Sequence, residues 1–258
     1  MALFKSKLSG LLLIVLVLGL WEVVARAHLL ATVAFPPFSR VFETFWGLTS
    51  TGQIVFLLLP SLERLAIGYL FALVLGVTLG VIMGYFREAY NVFEPLTEVL
   101  RPIPSPAYVP IAILFLGLGN EMKIFVIAFA SFFPILLNTY SGVRAVDVIQ
   151  IDTARTFKLS AGDTLRKVII PSAAPQIFTG MRVSLAISLI MVVISEMVAS
   201  VDGIGYFILN SQRSFRVPEM YAGVIVLGIL GYVLNWVFIR FEARALRWHF
   251  DATRRDRA

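Results

Sequence analysis

Cysteine is absent from this chain, and charged residues are few for its length. Only 15% of the 258 residues are charged, whereas 59% are hydrophobic; a soluble domain usually carries about 25% charged residues. A deficit of this size is incompatible with a surface that faces water on all sides, so it indicates a protein that lies largely in lipid. The lack of cysteine excludes disulfides, thiolate catalysis and cysteine-based metal sites.

Groups suited to catalysis or metal binding are also scarce. The two histidines, His28 and His249, lie near the chain ends and far from any acidic cluster, so we expect neither to be catalytic or to bind a metal. No Gly-x-x-x-x-Gly-Lys-Ser/Thr run occurs, and the chain therefore lacks the phosphate-binding loop of an ATPase. A membrane-embedded enzyme would need paired acids or a nucleophile with its base, but Glu196 is an isolated acid. The sequence predicts no enzyme, no bound cofactor and no metal.

Six apolar runs are long enough to cross a membrane. Crossing takes roughly 20 apolar residues, and such runs must be helical because each one has to satisfy its own backbone hydrogen bonds in lipid. The predicted spans lie near residues 8–25, 65–86, 102–120, 124–143, 183–201 and 220–239. We therefore predict an all-α integral membrane protein, a single transmembrane domain over residues 1–258, with a long loop at 144–178.

The positive charges indicate how these spans are oriented. With both termini inside, 16 of the 22 lysines and arginines lie on the inner side and six on the outer side. Because basic loops stay in the cytoplasm, we predict cytoplasmic termini, and the net charge of +6 then requires no nucleic-acid partner. The basic start and leucine-rich run also resemble a cleavable signal peptide. Trp21 and Glu22 stand where such a peptide should end in small residues, which favours a retained helix.

Proline and glycine modify two of the spans. Four prolines between residues 102 and 110 each remove a backbone donor and disfavour helix before them, so regular helix should begin near Pro106 or Pro110 after a bent entry. Gly76, Gly80 and Gly84 follow one another at four-residue spacing on the second span. Small residues at that spacing let another helix approach closely, and we predict that this face packs against a neighbouring span.

The loop at 144–178 has the most specific pattern. Residues 147–158 can form a short helix with Val148, Ile151, Ala154 and Phe157 on or near one face. Ser160 and Asp163 can cap a second helix, predicted over 164–170 and ending before Pro171. A basic and apolar helix-turn-helix of this kind suits docking to a cytoplasmic partner. It also suits an interfacial helix that rests on anionic lipid headgroups, and the residues alone do not decide between the two.

This loop resembles the cytoplasmic loop of inner-membrane permease subunits of binding-protein-dependent ABC importers. The family pattern is Glu-Ala-Ala, three residues, Gly, nine residues, Ile, one residue, Leu-Pro, and its spacing is kept in full. The pattern falls here on Asp152, Thr153, Ala154, Lys158, Val168, Ile170 and Pro171. Lys158 stands where the family has glycine. Glycine takes positive φ at little cost, whereas lysine does not, so Gly162 becomes the candidate residue for the bend between the two loop helices.

Further stretches resemble the nitrate, sulfonate and taurine branch of these permeases. They are Pro36 to Val41, Ser61 to Arg64 with Gly68 and Gly76, Leu100 to Pro104, Phe115 to Gly119, and Glu196-Met197 followed by Gly203 to Tyr206. The resemblance runs from about residue 35 to 250. It implies a type I ABC importer permease fold, with a cytoplasmic coupling helix, in a bacterial inner membrane.

The resemblance also implies partner proteins: a second permease chain, giving a homodimer, and two ATPase subunits that carry the ATP and Mg. A periplasmic or lipid-anchored binding protein would deliver a small solute, which we expect to be a sulfonate, taurine, nitrate or bicarbonate.

The resemblance also implies roles for particular residues. The predicted ATPase-coupling residues are Asp152, Thr153, Ala154, Phe157, Lys158, Gly162 and Pro171, of which Asp152, Ala154, Phe157 and Lys158 are expected to touch the ATPase. Polar residues inside the spans are the candidates for a translocation path or gate: Ser131, Asn138, Ser188, Ser195 and Glu196. Glu196 could instead form a structural ion pair, since a charge inside the membrane is costly alone. The alternative function is a passive channel or secondary carrier, for which the internal repeats that usually mark such proteins are missing.

Overall fold

Helices make up every regular element in the two ranges that the computed structural model describes, residues 7–27 and 34–248. His28 and His249 lie outside those ranges. A 3-10 turn over Ser105–Ala107 precedes α5, and a π-helical turn over Leu165–Ile169 joins α8 to α9. The helices are α1 (Lys7–Arg26), α2 (Phe38–Ser50), α3 (Gln53–Tyr85), α4 (Arg87–Leu100), α5 (Tyr108–Leu116), α6 (Asn120–Arg144), α7 (Val148–Thr156), α8 (Ala161–Thr164), α9 (Ile170–Ala199), α10 (Ile204–Arg213) and α11 (Val217–Ala245).

Four helical stretches in the described part of the chain are long and apolar enough to cross a membrane. They are Gln53–Tyr85, Asn120–Arg144, Ala161–Ala199 and Val217–Ala245, and the bent pair of α4 with the stretch Ser105–Leu116 makes a fifth if it counts as one span. The 20-residue helix α1 covers the first predicted span at 8–25. The all-helical membrane fold is therefore confirmed, with three differences from the predicted bounds.

The second and third spans differ most. Helix α3 begins at Gln53, twelve residues before the predicted span. The third predicted span, 102–120, is wrong as a single helix, since α4 and the stretch that contains α5 meet at a bend of 84°. The prolines before Pro110 interrupt the helix there, and α5 ends at Leu116, directly before Gly117, whose φ is 74°. Proline removes the donor that a continuing helix needs, which accounts for the bent entry.

The fifth span also begins earlier than predicted. Helix α9 runs from Ile170 to Ala199, so the end of the predicted loop at 144–178 is helical, and Pro171 lies inside a helix instead of after one. The π-helical turn over Leu165–Ile169 stands directly before this proline. Because a π turn changes the hydrogen-bonding register, it accommodates a residue that cannot donate a backbone hydrogen bond.

Close packing of α3 on α6 forms the centre of the molecule, as the glycine spacing predicted. A Cβ added at Gly80 would lie 2.6 Å from the Cβ of Thr139 and 2.9 Å from the Leu136 carbonyl oxygen. Added Cβ atoms at Gly76 and Gly84 would also lie under 3.0 Å from side chains of α6. Only glycine permits this approach of two helices, and the packing of α9 against α6 completes the core.

The segment after α1 is held against the bundle by side chains near the end of that helix. The Trp21 indole N–H donates to the Pro36 carbonyl (2.9 Å), and the ring lies 5.4 Å from that of Tyr221 on α11. Glu22 accepts hydrogen bonds from the backbone N–H and the hydroxyl of Ser39 at the start of α2. These two residues favour a retained first helix in the sequence, and that expectation stays a prediction.

Candidate functional site

Helix α7 in the predicted coupling loop begins with a side-chain cap. The Asp147 carboxylate accepts a hydrogen bond from the Ile149 backbone N–H at 2.8 Å. Such a cap contributes about 0.5–2 kcal/mol to helix stability, because it satisfies a donor that the first turn leaves free. The sequence predicted a helix here but did not identify the capping role of Asp147.

The end of α7 is a Schellman motif with a lysine at the left-handed position. The Leu159 N–H donates to the Ala154 carbonyl (3.0 Å), and the Lys158 N–H donates to the Arg155 carbonyl (2.8 Å). Lys158 has φ of 54°, the conformation in which helices usually place glycine. The expectation that Gly162 would replace the family glycine is therefore wrong. Gly162 lies in α8 with open space around it, and Lys158 itself makes the bend.

Apolar residues of α7 point both outward and inward, contrary to the predicted single face. Ile149 and Phe157 are 72% and 76% exposed, and Val148 is exposed beside them. Ile151 packs against the buried cluster that joins the loop to α6 and α9, and Ala154 is 3% exposed. The inward residues hold α7 in place, whereas the outward ones form an unpartnered apolar surface, which we call the coupling surface (Val148, Ile149 and Phe157).

The remaining predicted coupling residues divide in the same way. Asp152, Thr153 and Lys158 are exposed beside the coupling surface, and Asp152 pairs with Arg155 at 3.0 Å. Ala154 faces inward and is buried, and its expected contact with the ATPase stays a prediction. Pro171 is half-buried near the start of α9.

Direct contacts connect α7 to α9. The Ser172 hydroxyl on α9 donates to the Gln150 side chain on α7 at 2.7 Å. Ile169 and Ala173 belong to the same buried cluster as Val143 and Val146, which precede α7. Helix α7 and the start of α9 are therefore joined by packed side chains, and α9 is one of the long apolar helices.

Three predicted path residues are buried in helix packing. Ser131, Ser188 and Ser195 have no exposed surface. The hydroxyls of Ser188 and Ser195 donate to the carbonyls of Leu185 and Val192 in their own helix. Side chains that line an open path would face a cavity, so these serines serve packing in this conformation. The half-buried Asn138 does line a cavity of about 310 Å³ beside α6.

Glu196 lies at the centre of a buried polar cluster near the end of α9. Its carboxylate is completely buried and lies 2.7 Å from a guanidinium nitrogen of Arg64 on α3. The Ser61 hydroxyl and the Gly205 backbone N–H also donate to Glu196, at 2.8 Å and 2.9 Å. Every oxygen is thus hydrogen-bonded, which a buried carboxylate requires. Of the two predicted roles, the geometry supports the structural ion pair.

Two further residues extend this cluster. The second terminal nitrogen of Arg64 contacts Asp202 at 2.5 Å, and its Nε donates to the Asn120 side chain at 2.8 Å. Burial opposes ionisation of Asp202, but hydrogen bonds from Arg64 and Ser200 outweigh it and hold the pKa of Asp202 below its usual value. Gly203 has φ of 92°, and a Cβ there would overlap the Glu196 carboxylate. Sequence reasoning missed Arg64 as the partner, although two opposite charges at the outer ends of adjacent spans were a usable signal.

No group of three or more His, Cys, Asp or Glu side chains that could hold a metal ion occurs within residues 7–27 and 34–248. The all-helical fold and the long apolar spans define an integral membrane protein.

Comparison with known proteins assigns the family. Residues 72–246 match the model of the binding-protein-dependent transport system inner membrane component. The chain belongs to this family of ABC importer permeases, in the sulfonate, taurine, nitrate and bicarbonate branch. It is 30% identical to the putative aliphatic sulfonates transport permease protein SsuC of Bacillus subtilis, over 93% of this chain and 87% of that one. It is 28% identical to the taurine transport system permease protein TauC of Escherichia coli, over 90% and 86% of the two chains.

Solved structures agree on the fold. An inward-facing structure of the MetNI methionine ABC transporter superposes with a TM-score of 0.61 at 18% identity, covering 72% of this chain and 93% of that one. An amino acid ABC transporter with histidines gives the same TM-score at 16% identity, covering 78% and 95%. At these identities the likeness establishes the type I importer permease fold.

Proposed function

We propose that this chain forms the translocation path of an ATP-driven importer for a small organic anion, such as a sulfonate or taurine, or for nitrate or bicarbonate. The relatives named for sulfonates, taurine, nitrate and bicarbonate support this solute class. A second copy of the chain completes the path, and a periplasmic or lipid-anchored binding protein delivers the solute. Two ATPase subunits bind ATP and Mg, since this chain has no phosphate-binding loop.

The coupling surface is the observation that carries this proposal. Three large apolar side chains stand exposed on a short helix that is capped at its start and anchored by Ile151 and Ala154. A groove on the ATPase receives them, and the neighbouring charges of Asp152 and Lys158 orient the contact. Closure of the ATPase pair on ATP then moves α7 and α9 together and switches the path between inward-open and outward-open states.

The distribution of lysines and arginines indicates which side of the membrane carries α7. In the six-span topology predicted from the sequence, 16 of the 22 lysines and arginines lie on the side of α7 and both termini, and this supports placing that side in the cytoplasm of a bacterial inner membrane. The polar cluster around Glu196 then lies at the outer end of the bundle. A passive channel or secondary carrier remains the second function, and it has no use for an exposed apolar surface on a loop.

Site-directed labelling tests docking and sidedness together. The chain has no cysteine, so Thr153→Cys on α7 and Val201→Cys after α9 each introduce a single reactive site. Val201 is 86% exposed. In sealed vesicles, a membrane-impermeant maleimide should label Thr153→Cys only from the cytoplasmic side, and the bound ATPase should block this labelling.

The matched variant Val201→Cys should react only from the opposite side, with or without the ATPase. Labelling of Thr153→Cys from the outer side would overturn the orientation. Equal labelling with and without the ATPase would overturn the docking of α7.

A further inference from the structure

The bend between α4 and α5 opens a cavity of about 310 Å³ that also contacts α6 and α9. Its wall is mainly apolar, and three polar residues interrupt it: Arg101, Ser105 and Asn138. Small-molecule sites in proteins have this composition, with an apolar lining that supplies contact area and a few placed polar groups that select the ligand.

Aromatic rings form one wall of the cavity. Tyr108 meets Phe129 edge to face at a centroid distance of 4.6 Å, and Phe129 meets Phe133 in the same way at 5.2 Å. The Tyr108 hydroxyl is already used, since it donates to the Leu100 carbonyl at 2.9 Å. The rings are therefore held in place and present a fixed apolar surface to whatever occupies the cavity.

The polar groups favour an anion. Among the lining residues, Arg101 alone is charged, and its guanidinium is half-exposed. Its one ion-pair partner in the described ranges is the half-exposed Glu98, at 3.6 Å. A solvated pair of this kind contributes little, so an incoming anion can replace the carboxylate. The Ser105 hydroxyl makes no hydrogen bond with the described part of the chain. The Asn138 amide donates one N–H to the Pro134 carbonyl, and its second N–H stays available to a ligand.

The α6 side of the cavity lies away from both ends of that helix. Its α6 residues, 129–138, lie between about 9 and 22 Å along the helix axis from Arg144, at a rise of about 1.5 Å per residue. A solute that crosses the membrane beside α6 passes this depth.

We propose that this cavity is a subsite for a small organic anion with an apolar tail, such as a short alkanesulfonate. The acidic group meets Arg101 and Ser105, and the tail lies against Tyr108, Phe129 and Phe133. The inference rests on the proposed function for the claim that the anion is cargo. Family membership does not say where an anion is bound. The cavity assigns a preference for anions to the membrane domain and assigns that preference to Arg101.

Thiol labelling of the full-length chain measures that charge preference without transport. A single cysteine at Ser105→Cys reacts with an anionic reagent, sulfonatoethyl methanethiosulfonate, and with a cationic one, trimethylammonioethyl methanethiosulfonate. The rate with the anionic reagent divided by the rate with the cationic one should fall about tenfold in the Arg101→Gln background. A fixed charge in a cleft concentrates ions of opposite sign, and this variant removes that charge. Arg87→Gln, an exposed arginine at the other end of α4, is the matched control and should leave the ratio unchanged.

Protection identifies the ligand class. Butanesulfonate should slow the labelling of Ser105→Cys, butylammonium should not, and the protection should be lost with Arg101→Gln and kept with Arg87→Gln. The anion subsite would be overturned if the rate ratio were the same with and without Arg101→Gln. It would also be overturned if butanesulfonate and butylammonium protected Ser105→Cys equally.

Reconstitution with the ATPase and binding protein separates this proposal from the proposed function. Arg101→Gln should lower butanesulfonate uptake per ATP hydrolysed while the binding protein still stimulates the ATPase, and Arg101→Lys should restore much of the uptake. Unchanged uptake with Arg101→Gln would contradict the subsite as a step in transport. Absence of ATP-driven uptake in the unaltered complex would count against the proposed function, and the labelling result would stand by itself.

Discussion

Arg64 and Glu196 show how a single buried pair can organise one end of a membrane domain. The two side chains are 4% and 0% exposed and come from helices far apart in sequence. Removing one partner of a buried pair costs about 3–5 kcal/mol, because the other charge stays buried without compensation. Here the loss should be unequal, since Arg64 pairs with two carboxylates, Glu196 and Asp202, whereas Arg64 is the one ion-pair partner of Glu196 within residues 7–27 and 34–248.

This asymmetry gives a stability prediction. Arg64→Met should lower the melting temperature of the purified chain in detergent more than Glu196→Gln does, because the first removes the ion-pair partner of both the buried Glu196 and Asp202. The double variant should be less destabilised than the sum of the two single variants, as expected for residues in direct contact. Additive effects, or a larger loss from Glu196→Gln, would contradict the role assigned to the pair.

For Lys158 we predict a substitution that raises the melting temperature. A non-glycine residue in the left-handed conformation costs roughly 1–2 kcal/mol, so Lys158→Gly should raise the melting temperature. Lys167→Gly, in the helical turn before α9, should lower it, because glycine is disfavoured within helices. If Lys158→Gly destabilises the chain, the positive φ at this residue is not a source of strain.

At the scale of helices, the glycine face of α3 determines how closely α3 and α6 approach. Gly80 faces Thr139 and the Leu136 carbonyl with no space for a side chain. Gly228 on α11 is a glycine in another long apolar helix, but nothing lies within 4 Å of an added Cβ there.

The pair Gly80→Leu and Gly228→Leu tests this packing. The first substitution forces two helices apart and should prevent recovery of a folded chain or lower its melting temperature sharply. The second adds an apolar side chain to open space and should change the melting temperature little. Size-exclusion profiles and thermal melts in one detergent compare them, and similar behaviour of the two variants would refute close packing as the reason for glycine.

Much of the position and packing of the helices could be predicted from the sequence. Apolar length located the long helices, and glycine spacing identified the face at Gly80, because both effects act through neighbours along one helix. The π turn before Pro171 could not be predicted, since it depends on how α8 and α9 pack together. The left-handed Lys158 was missed for a related reason: propensity favours glycine, and the Schellman hydrogen bonds of α7 overrode it. Burial of the three path serines likewise depends on which helix faces which.

For the whole molecule, the short helix α7 and the long span α9 are joined by direct contacts. Helix α7 is anchored through Ile151 and Ala154, and the bond between Gln150 and Ser172 joins it to α9. Helix α9 ends three residues before Asp202, beside the Arg64 cluster. A movement that begins at the coupling surface can therefore reach the opposite end of the bundle through packed contacts.

Uptake per ATP hydrolysed, in liposomes that contain the complete transporter, tests this coupling most directly. Phe157→Asp places a charge on the coupling surface and should leave the chain inserted and the ATPase active while lowering the ratio at least about tenfold, the effect of losing roughly 1.4 kcal/mol of coupling. Phe157→Leu keeps an apolar contact and should retain most of the ratio. Normal uptake per ATP with Phe157→Asp would contradict the account.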